Sequence, residues 1–545
     1  LVVASNYAHP SDSPRTCSMG VFVPSVYPMA EHATPISAQQ LKDFGELVAA
    51  RTAWGRGDLD TALSMFAKAT ALRPTNVKAL LEAARAFGGR HEIAAAERYL
   101  DQATEIAGSD PRVAPAIAQS YARIFRPERA IEAYEHIADL PPPMQGELAT
   151  LYEQVGRLDE ALAAIDACIA LAPNAPEPKL VRGRILRRLR RFDDALEMLQ
   201  PIAASNGHPV LRAEASTEIC YIHDAAGEYE RAIEAIDLAH TLVRALPQAP
   251  VLFQKAAANN TALSSLAASV SQDRLQAWAQ RETRPLPRVG GIAHLIGFPR
   301  SGTTLLEQCL DAHPRIVASP ERLVFSRDIF PKLCKAGGGP LTLETLDSSP
   351  THVLDTERER YLDFMEQTLG APMGDRIHID KNPNHTSLLP GLLRLFPESK
   401  FIVEHRDPRD DVTSCVLRTI RLPEFRSMLT SRSTACELYA VEMGAWLRYR
   451  AALQDGQWVE VRYEDTVADF ERESRRAIDG LELPWDDVVL EYRERTRHKL
   501  VNSPTQTEVR QPIYTSAIGR WQHYRKHLEP HMHVLQPFID TFGYE

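Results

Sequence analysis

A chain of 545 residues exceeds one ordinary domain; at about 150 residues per domain it has room for roughly three. Its 44% hydrophobic and 25% charged content is that of globular protein, which argues against wholesale disorder. The 62 basic and 72 acidic side chains leave a formal net charge of −10, against a dedicated nucleic-acid binder, whose phosphate contacts need a basic excess.

In chain order, residues 1–38 contain Ser, Pro and His without a continuous apolar run, so a disordered tail is expected there and not a signal peptide. No apolar stretch approaches the roughly 18 residues that a membrane span needs. The seven cysteines follow no CxxC or zinc-type spacing, as suits reduced thiols. Together these features predict a cytoplasmic protein with no bound metal, no nucleic-acid partner and no membrane attachment.

Residues 39–245 repeat. Ala62, Ala96, Ala130, Ala161, Ala195 and Ala232 each stand near the start of an amphipathic helical pattern, at intervals of 34, 34, 31, 34 and 37 residues. Similar turns precede four of them, as in Arg56, Gly57, Asp58 and Leu59, and again in Val155, Gly156, Arg157 and Leu158. The turn before Ala130 is a looser match. A small residue at a helix crossing lets two backbones approach, and the larger Phe66 or Ile165 one turn on fills the groove. A two-helix period of about 34 residues resembles the tetratricopeptide arrays, an all-α solenoid in which each unit buries its apolar face only against its neighbours. Within it Arg184, Arg187, Arg188 and Arg191 share one helix face by i+3 and i+4 spacing. That face is expected to be solvated, with a seat for an acidic partner as the alternative.

The period fades over 246–287, an Ala/Ser-rich helical linker that ends in the two prolines Pro285 and Pro287. The second domain is expected over 288–545. Residues 290–297 read as a short buried strand. It runs into Phe298, Pro299, Arg300, Ser301, Gly302, Thr303 and Thr304, and then into an apolar helix start. Strand, Gly-bearing loop and helix together offer backbone N–H groups and a helix N-terminus to an anion. Gly297 and Gly302 have the outer spacing of a P-loop, but Thr303 stands where the P-loop Lys belongs, which argues against nucleotide triphosphate hydrolysis. Arg300 supplies a planar fork suited to an oxyanion instead.

Further on, 400–405 reads as a strand followed by Arg406, Asp407, Pro408 and a helix containing Ser414. His405, Arg406 and Asp407 imitate a kinase catalytic loop, but Val412 stands where a kinase needs Asn, and DFG and the Gly-rich loop are missing. Asp380, Lys381, Asn382 and Pro383 follow an apparent strand over 376–379, and 459–465 reads as another strand end carrying Tyr463.

The run from Pro299 to Thr304 resembles the 5′-phosphosulfate loop of sulfotransferases that use 3′-phosphoadenosine 5′-phosphosulfate (PAPS). Ala312, His313 and Pro314, with Glu321 seven residues later, are similar to the tyrosylprotein sulfotransferase branch. The resemblance implies an α/β, P-loop-like domain with a central parallel sheet. It implies Glu321 as general base, Lys381 near the transferring sulfonate, and Arg300, Ser301, Gly302, Thr303 and Thr304 around the donor's 5′ end. It also implies Arg406 and Ser414 at the 3′-phosphate and Tyr463 beside the adenine. The stretch over 509–514 with Gly519, Arg520 and Trp521 is similar to the loop that closes over the 3′-phosphate, with Arg520 where the tyrosyl branch carries Lys. Ser503 and Thr505 compete for the family's serine.

The expected activity is sulfonate transfer from PAPS to a hydroxyl acceptor, with a protein tyrosine recruited by the array as one candidate. A glycan or small-metabolite acceptor, or a non-catalytic scaffold, are the alternatives.

Overall fold

The computed structural model describes residues 36–545 apart from 91, 108–109, 138–139, 282, 284, 287, 320, 419–426 and 497–514. The described residues form two compact units, divided between Met198 and Leu199. Of the tail expected over 1–38, residues 1–35 lie outside the described residues. Residues 36–38 are folded instead: Ile36 is buried and its amide donates to Asp110 at 3.1 Å, just before a 3-10 turn at Ala38–Leu41.

The first unit is helical. Gly45–Gly55 pairs with Leu59–Leu72, and Val77–Gly89 with Ile93–Ala107. Ala114–Arg123 pairs with Pro127–Glu135, and Pro142–Val155 with Leu158–Leu171. All six periodic alanines, the two nearest the C-terminal domain included, are completely buried. Interiors are packed to crystal density, so a larger side chain at a crossing would force the helices apart. Five residues before each alanine the chain turns through positive φ: Gly57 at 77°, Phe125 at 64°, Gly156 at 86°, Arg190 at 60° and Gly227 at 78°. Position 91, where Ala96 would have its counterpart, is outside the described residues. The loose sequence match before Ala130 is therefore the same left-handed turn made without glycine.

Several of the clustered arginines pair with carboxylates inside this unit, and Arg191 lies past the end of the helix Pro176–Arg188 that carries Arg184, Arg187 and Arg188. Arg184 and Arg188 reach Glu153 at 2.7 and 3.4 Å, Arg182 pairs with Asp166 at 2.6 Å, and Arg191 pairs with Asp194 at 2.6 Å.

The second unit begins inside the repeat period. Its helix pair Pro209–Ala225 and Tyr229–Arg244 presents Ala213, Cys220, Ala232, Ile236 and Val243 to Leu417 and Tyr524. The apolar face that another repeat would have covered is thus covered by the α/β domain, and contact divides the chain at 198/199 where the period alone runs on to 245. Helices Ala249–Ser269 and Gln272–Ala279 occupy the expected linker, and Arg274 pins the second of them to Asp347 at 3.2 Å.

Five parallel strands follow: β1 (Gly291–Gly297), β2 (Ile316–Ser319), β3 (Ile377–Lys381), β4 (Lys400–His405) and β5 (Trp458–Arg462), in the order β2-β3-β1-β4-β5. Parallel sheets are buried on both faces, so their strands read as apolar runs without alternation. On one face Ala293, Leu295, Ile379, Ile402 and Val461 pack against Leu306 and Leu310 of the helix after β1. Each large apolar side chain buried there contributes roughly 1.5–3 kcal/mol. The chain leaves β1 toward β2 on one side and β4 toward β5 on the other. The topological switch, where open α/β sheets bind ligands, lies at the carboxyl ends of β1 and β4.

Candidate active site

The loop after β1 is shaped by close approach. A Cβ on Gly297 would lie 2.2 Å from the Glu404 carbonyl oxygen of the neighbouring strand, so no side chain fits there. The Gly297 amide donates to Thr386 Oγ1 at 2.9 Å, and that hydroxyl returns a bond to the Gly297 carbonyl at 2.6 Å. The strand end is thereby locked to the turn after β3. Arg300 adopts φ 80° and Gly302 φ 113°, after which the helix Thr303–Asp311 begins with no acidic residue in its first turn. A non-glycine residue in the left-handed region costs about 1–2 kcal/mol, a strain typical of ligand clamps. Ser301 is fully buried, and its Oγ has no hydrogen-bond partner among the described residues. The loop is a turn of backbone amides ending on a positive helix pole, as an anion requires.

The loop after β4 joins it. Asp407 caps the helix Pro408–Val416 by accepting from the Arg409 amide at 2.9 Å, which fixes Arg406 at the strand end. Arg406 Nη1 donates to the Arg300 carbonyl at 3.3 Å, Arg300 Nε to Ser414 Oγ at 3.3 Å, and Cys415 Sγ to the Pro299 carbonyl at 3.3 Å. The Arg406 guanidinium lies over the Tyr463 ring, 5.2 Å from its centroid. Tyr463 in turn abuts Gly302, where an added Cβ would stand 2.5 Å from the ring edge and 2.6 Å from Glu404 Oε1. Arg406 also reaches Asp410 at 3.4 Å and donates to the Ala517 carbonyl. Asp410 accepts from the amides of Gly519 at 2.7 Å and Trp521 at 2.8 Å, so this late segment wraps the arginine. The Arg406 Nε is buried and has no hydrogen-bond partner among the described residues.

β3 contributes the third part. Lys381 Nζ, with no solvent exposure, lies 2.9 Å from Glu321 Oε1 and 3.5 Å from Glu307 Oε2. Burial works against its charge, but the Glu307 and Glu321 carboxylates outweigh it and hold the ammonium above its ordinary pKa. Asn382 Nδ2 donates to the Arg322 carbonyl at 2.9 Å, so adjacent residues of one strand end hold the Glu321 segment from two sides. Glu321 keeps 31% of its side chain exposed and is the member of this group open to an incoming molecule.

Of the residues expected from the sequence, Arg300, Ser301, Gly302, Thr303, Thr304, Arg406, Ser414 and Tyr463 form one continuous cluster at the switch. Glu321 and Lys381 form a direct ion pair at the end of β3, which flanks β1. Arg520 departs from expectation. Its guanidinium turns away to make a two-pronged ion pair with Asp224, Nε at 3.2 Å and Nη2 at 2.5 Å, and Tyr524 hydroxyl donates to the same carboxylate. A partly buried planar fork takes the carboxylate that matches it, and Asp224 near the end of the helix Pro209–Ala225 supplies one. Ser503, Thr505 and the stretch 509–514 lie outside the described residues. Sequence reasoning missed Glu307, Thr386, Asp410 and Glu404. The available signal was a carboxylate, Glu307, directly after Leu305 and Leu306 in the helix that the anion loop initiates. Among the described residues no cluster of His, Cys, Asp and Glu could hold a metal, and no helix is long and apolar enough to cross a membrane.

Residues 294–487 match the profile of the sulfotransferase family, and residues 53–120, 142–175 and 180–250 match tetratricopeptide repeat profiles. An uncharacterized protein of Aquifex aeolicus (strain VF5) is 25% identical over 404 residues, 72% of this chain and 50% of that protein, so the chain spans half the length of that relative. Protein-tyrosine sulfotransferase 1 of Danio rerio is 27% identical over 300 residues, 52% of this chain and 79% of that protein. Among solved structures, the sulfotransferase domain from the Synechococcus PCC 7002 olefin synthase is 20% identical, covers 49% of this chain and 99% of its own, and has a TM-score of 0.34. The chain therefore carries tetratricopeptide repeats and a sulfotransferase-family domain, distantly similar to the protein-tyrosine sulfotransferases.

Proposed function

We propose that the C-terminal domain transfers a sulfonate group from PAPS to a hydroxyl acceptor, a protein tyrosine in the first instance, and that the repeat array recruits the acceptor. The observation that carries this reading is the Lys381–Glu321 ion pair at 2.9 Å, held at the strand end beside the anion loop. The residues present fit the donor. Among the described residues the buried Ser301 Oγ and Arg406 Nε have no hydrogen-bond partner and are donors in want of an acceptor, and the helix Thr303–Asp311 turns its N-terminal amides toward the same loop.

Bound there, the donor supplies a sulfonate and a phosphate leaving group. The amides of 301–304 and the Arg300 guanidinium hold the 5′ end, and Arg406 with Ser414 holds the 3′-phosphate. Lys381 stabilises charge on the bridging oxygen. Glu321 removes the acceptor proton as the oxygen–sulfur bond forms and the sulfur–oxygen bond to phosphate breaks, with the electron pair leaving on phosphate. For a phenol of pKa near 10 such general-base help is worth about 10²–10⁴-fold. Positioning and charge stabilisation supply the rest, by analogy with phosphoryl transfer.

The test is incubation of the full chain with ³⁵S-labelled PAPS and a panel of tyrosine peptides, phenols and glycans. Label on a tyrosine peptide, lost in Glu321→Gln, is expected. Label confined to a glycan or small phenol would move the acceptor class, and no labelled product from any acceptor would overturn the reading.

A further inference from the structure

Three charged side chains from three elements meet in the interior beside the anion loop, and one of them has no part in the reaction as described above. Glu307 lies one helical turn beyond Thr303, in the helix that the loop initiates. Its side chain is 2% exposed, against 31% for Glu321, and both carboxylates face the same fully buried ammonium. We propose that Glu307 is a positioning residue, the permanent counterion of Lys381, so that Glu321 can leave that ion pair to take the acceptor proton without stranding a buried charge. This rests on the sulfotransferase reading and deepens it.

The argument is one of charge conservation in a dry site. Removing one partner of a buried ion pair leaves an uncompensated charge and is strongly destabilising. A general base loses its own charge when it accepts a proton. If Glu321 were the ammonium's single counterion, its protonation would break the pair at the moment the ammonium is needed by the bridging oxygen. With Glu307 in place the cluster begins with two carboxylates and one ammonium and passes through a state with one of each. Glu307 cannot itself meet an acceptor, because its side chain is buried, and Glu321 can. The two carboxylates therefore divide the work by exposure. The other titratable groups nearby are Asp380, adjacent on β3, bound by the Tyr361 hydroxyl at 2.8 Å and pushed up to about 7 by burial, His385, 3.6 Å from Asp380 and kept uncharged by burial, and Arg322, whose charge acts on Asp380. None of these makes an ion pair with Lys381 at the distances of Glu307 and Glu321.

The test reads the charge of Lys381 directly. In full-length protein labelled with ¹⁵N at lysine Nζ, the Lys381 resonance is identified by its loss in Lys381→Met and followed against pH. Glu307→Gln is expected to lower the titration midpoint by roughly one to three pH units, the effect of removing an opposite charge at this range. In the transfer assay the same variant should lose activity at alkaline pH where the parent keeps it, with kcat reduced and the donor KM little changed. Glu307→Asp keeps the charge one methylene further back and should show a smaller displacement in the same direction. Should Glu307→Gln fail to fold, Glu307→Asp is read alone. An unmoved midpoint in the variant that folds overturns the proposal. The resonance can be read whether or not sulfonate is transferred, so a failure of the proposed function and a failure of this inference give different results.

Discussion

Gly302→Ala tests whether the anion loop owes its shape to a missing side chain. The added methyl would lie 2.5 Å from the Tyr463 ring and 2.6 Å from the Glu404 carboxylate, both well inside contact distance, at a φ of 113°. Left-handed backbone costs an alanine about 1–2 kcal/mol, and forcing a buried ring and carboxyl aside costs a further 1–3 kcal/mol or so. The total, about 2–5 kcal/mol, falls on the loop, because Tyr463 is braced by Arg406 and Glu404 is anchored in the sheet. At 1.4 kcal/mol per decade, affinity for 3′-phosphoadenosine 5′-phosphate should drop by roughly 30-fold to 3,000-fold. Titration calorimetry measures this, with the circular dichroism of the variant as a check on folding. A folded variant that binds within threefold of the parent would refute the claim that Gly302 shapes the site.

Other consequences can be measured separately. Gly156→Ala should lower the stability of the helical array by about 1 kcal/mol, since φ 86° disfavours any Cβ; equal denaturation midpoints would contradict the turn's role. Asp224→Asn breaks the partly buried pair with Arg520 and should cost the C-terminal unit about 2–3 kcal/mol. Faster hydrogen exchange over 515–521 should accompany it, and unchanged exchange would show that the pair does not hold this segment. Burial pushes the Glu442 carboxyl up to about 7, while bonds from the Ser387 amide and hydroxyl work the other way. The folded protein then holds this proton where the unfolded chain has lost it. The contribution, on the order of 3 kcal/mol, is full below pH 4.5 and lost as pH rises through about 7. Glu442→Gln should flatten that part of the stability profile measured by urea denaturation between pH 4.5 and 8, and a parallel profile would rule the group out.

Much of this arrangement was legible in sequence because it is local. A fully buried alanine every 34 residues or so, a strand running into a glycine loop, and Arg406 eight residues before Ser414 are patterns that a short window contains. The four-residue strand β2 was not legible, since an edge strand of a parallel sheet that short has neither alternation nor distinctive flanks. The pairing of Arg520 was not legible either. Its partner Asp224 lies 296 residues away, and the family likeness supplied a different one. Glu307 was passed over for a related reason. Only the packing of the helix on β3 reveals that its carboxylate shares an ammonium with Glu321. The division of the chain at 198/199 depends on which surface covers the last repeat, which periodicity does not encode.

The most direct measurement of the central claim is calorimetric titration of 3′-phosphoadenosine 5′-phosphate into the full chain and into Arg300→Ala and Arg406→Ala. Saturable binding by the parent and at least a hundredfold loss in each variant are predicted. Binding that survives both substitutions, or none by the parent, would mean that the two strand-end loops do not grip this donor.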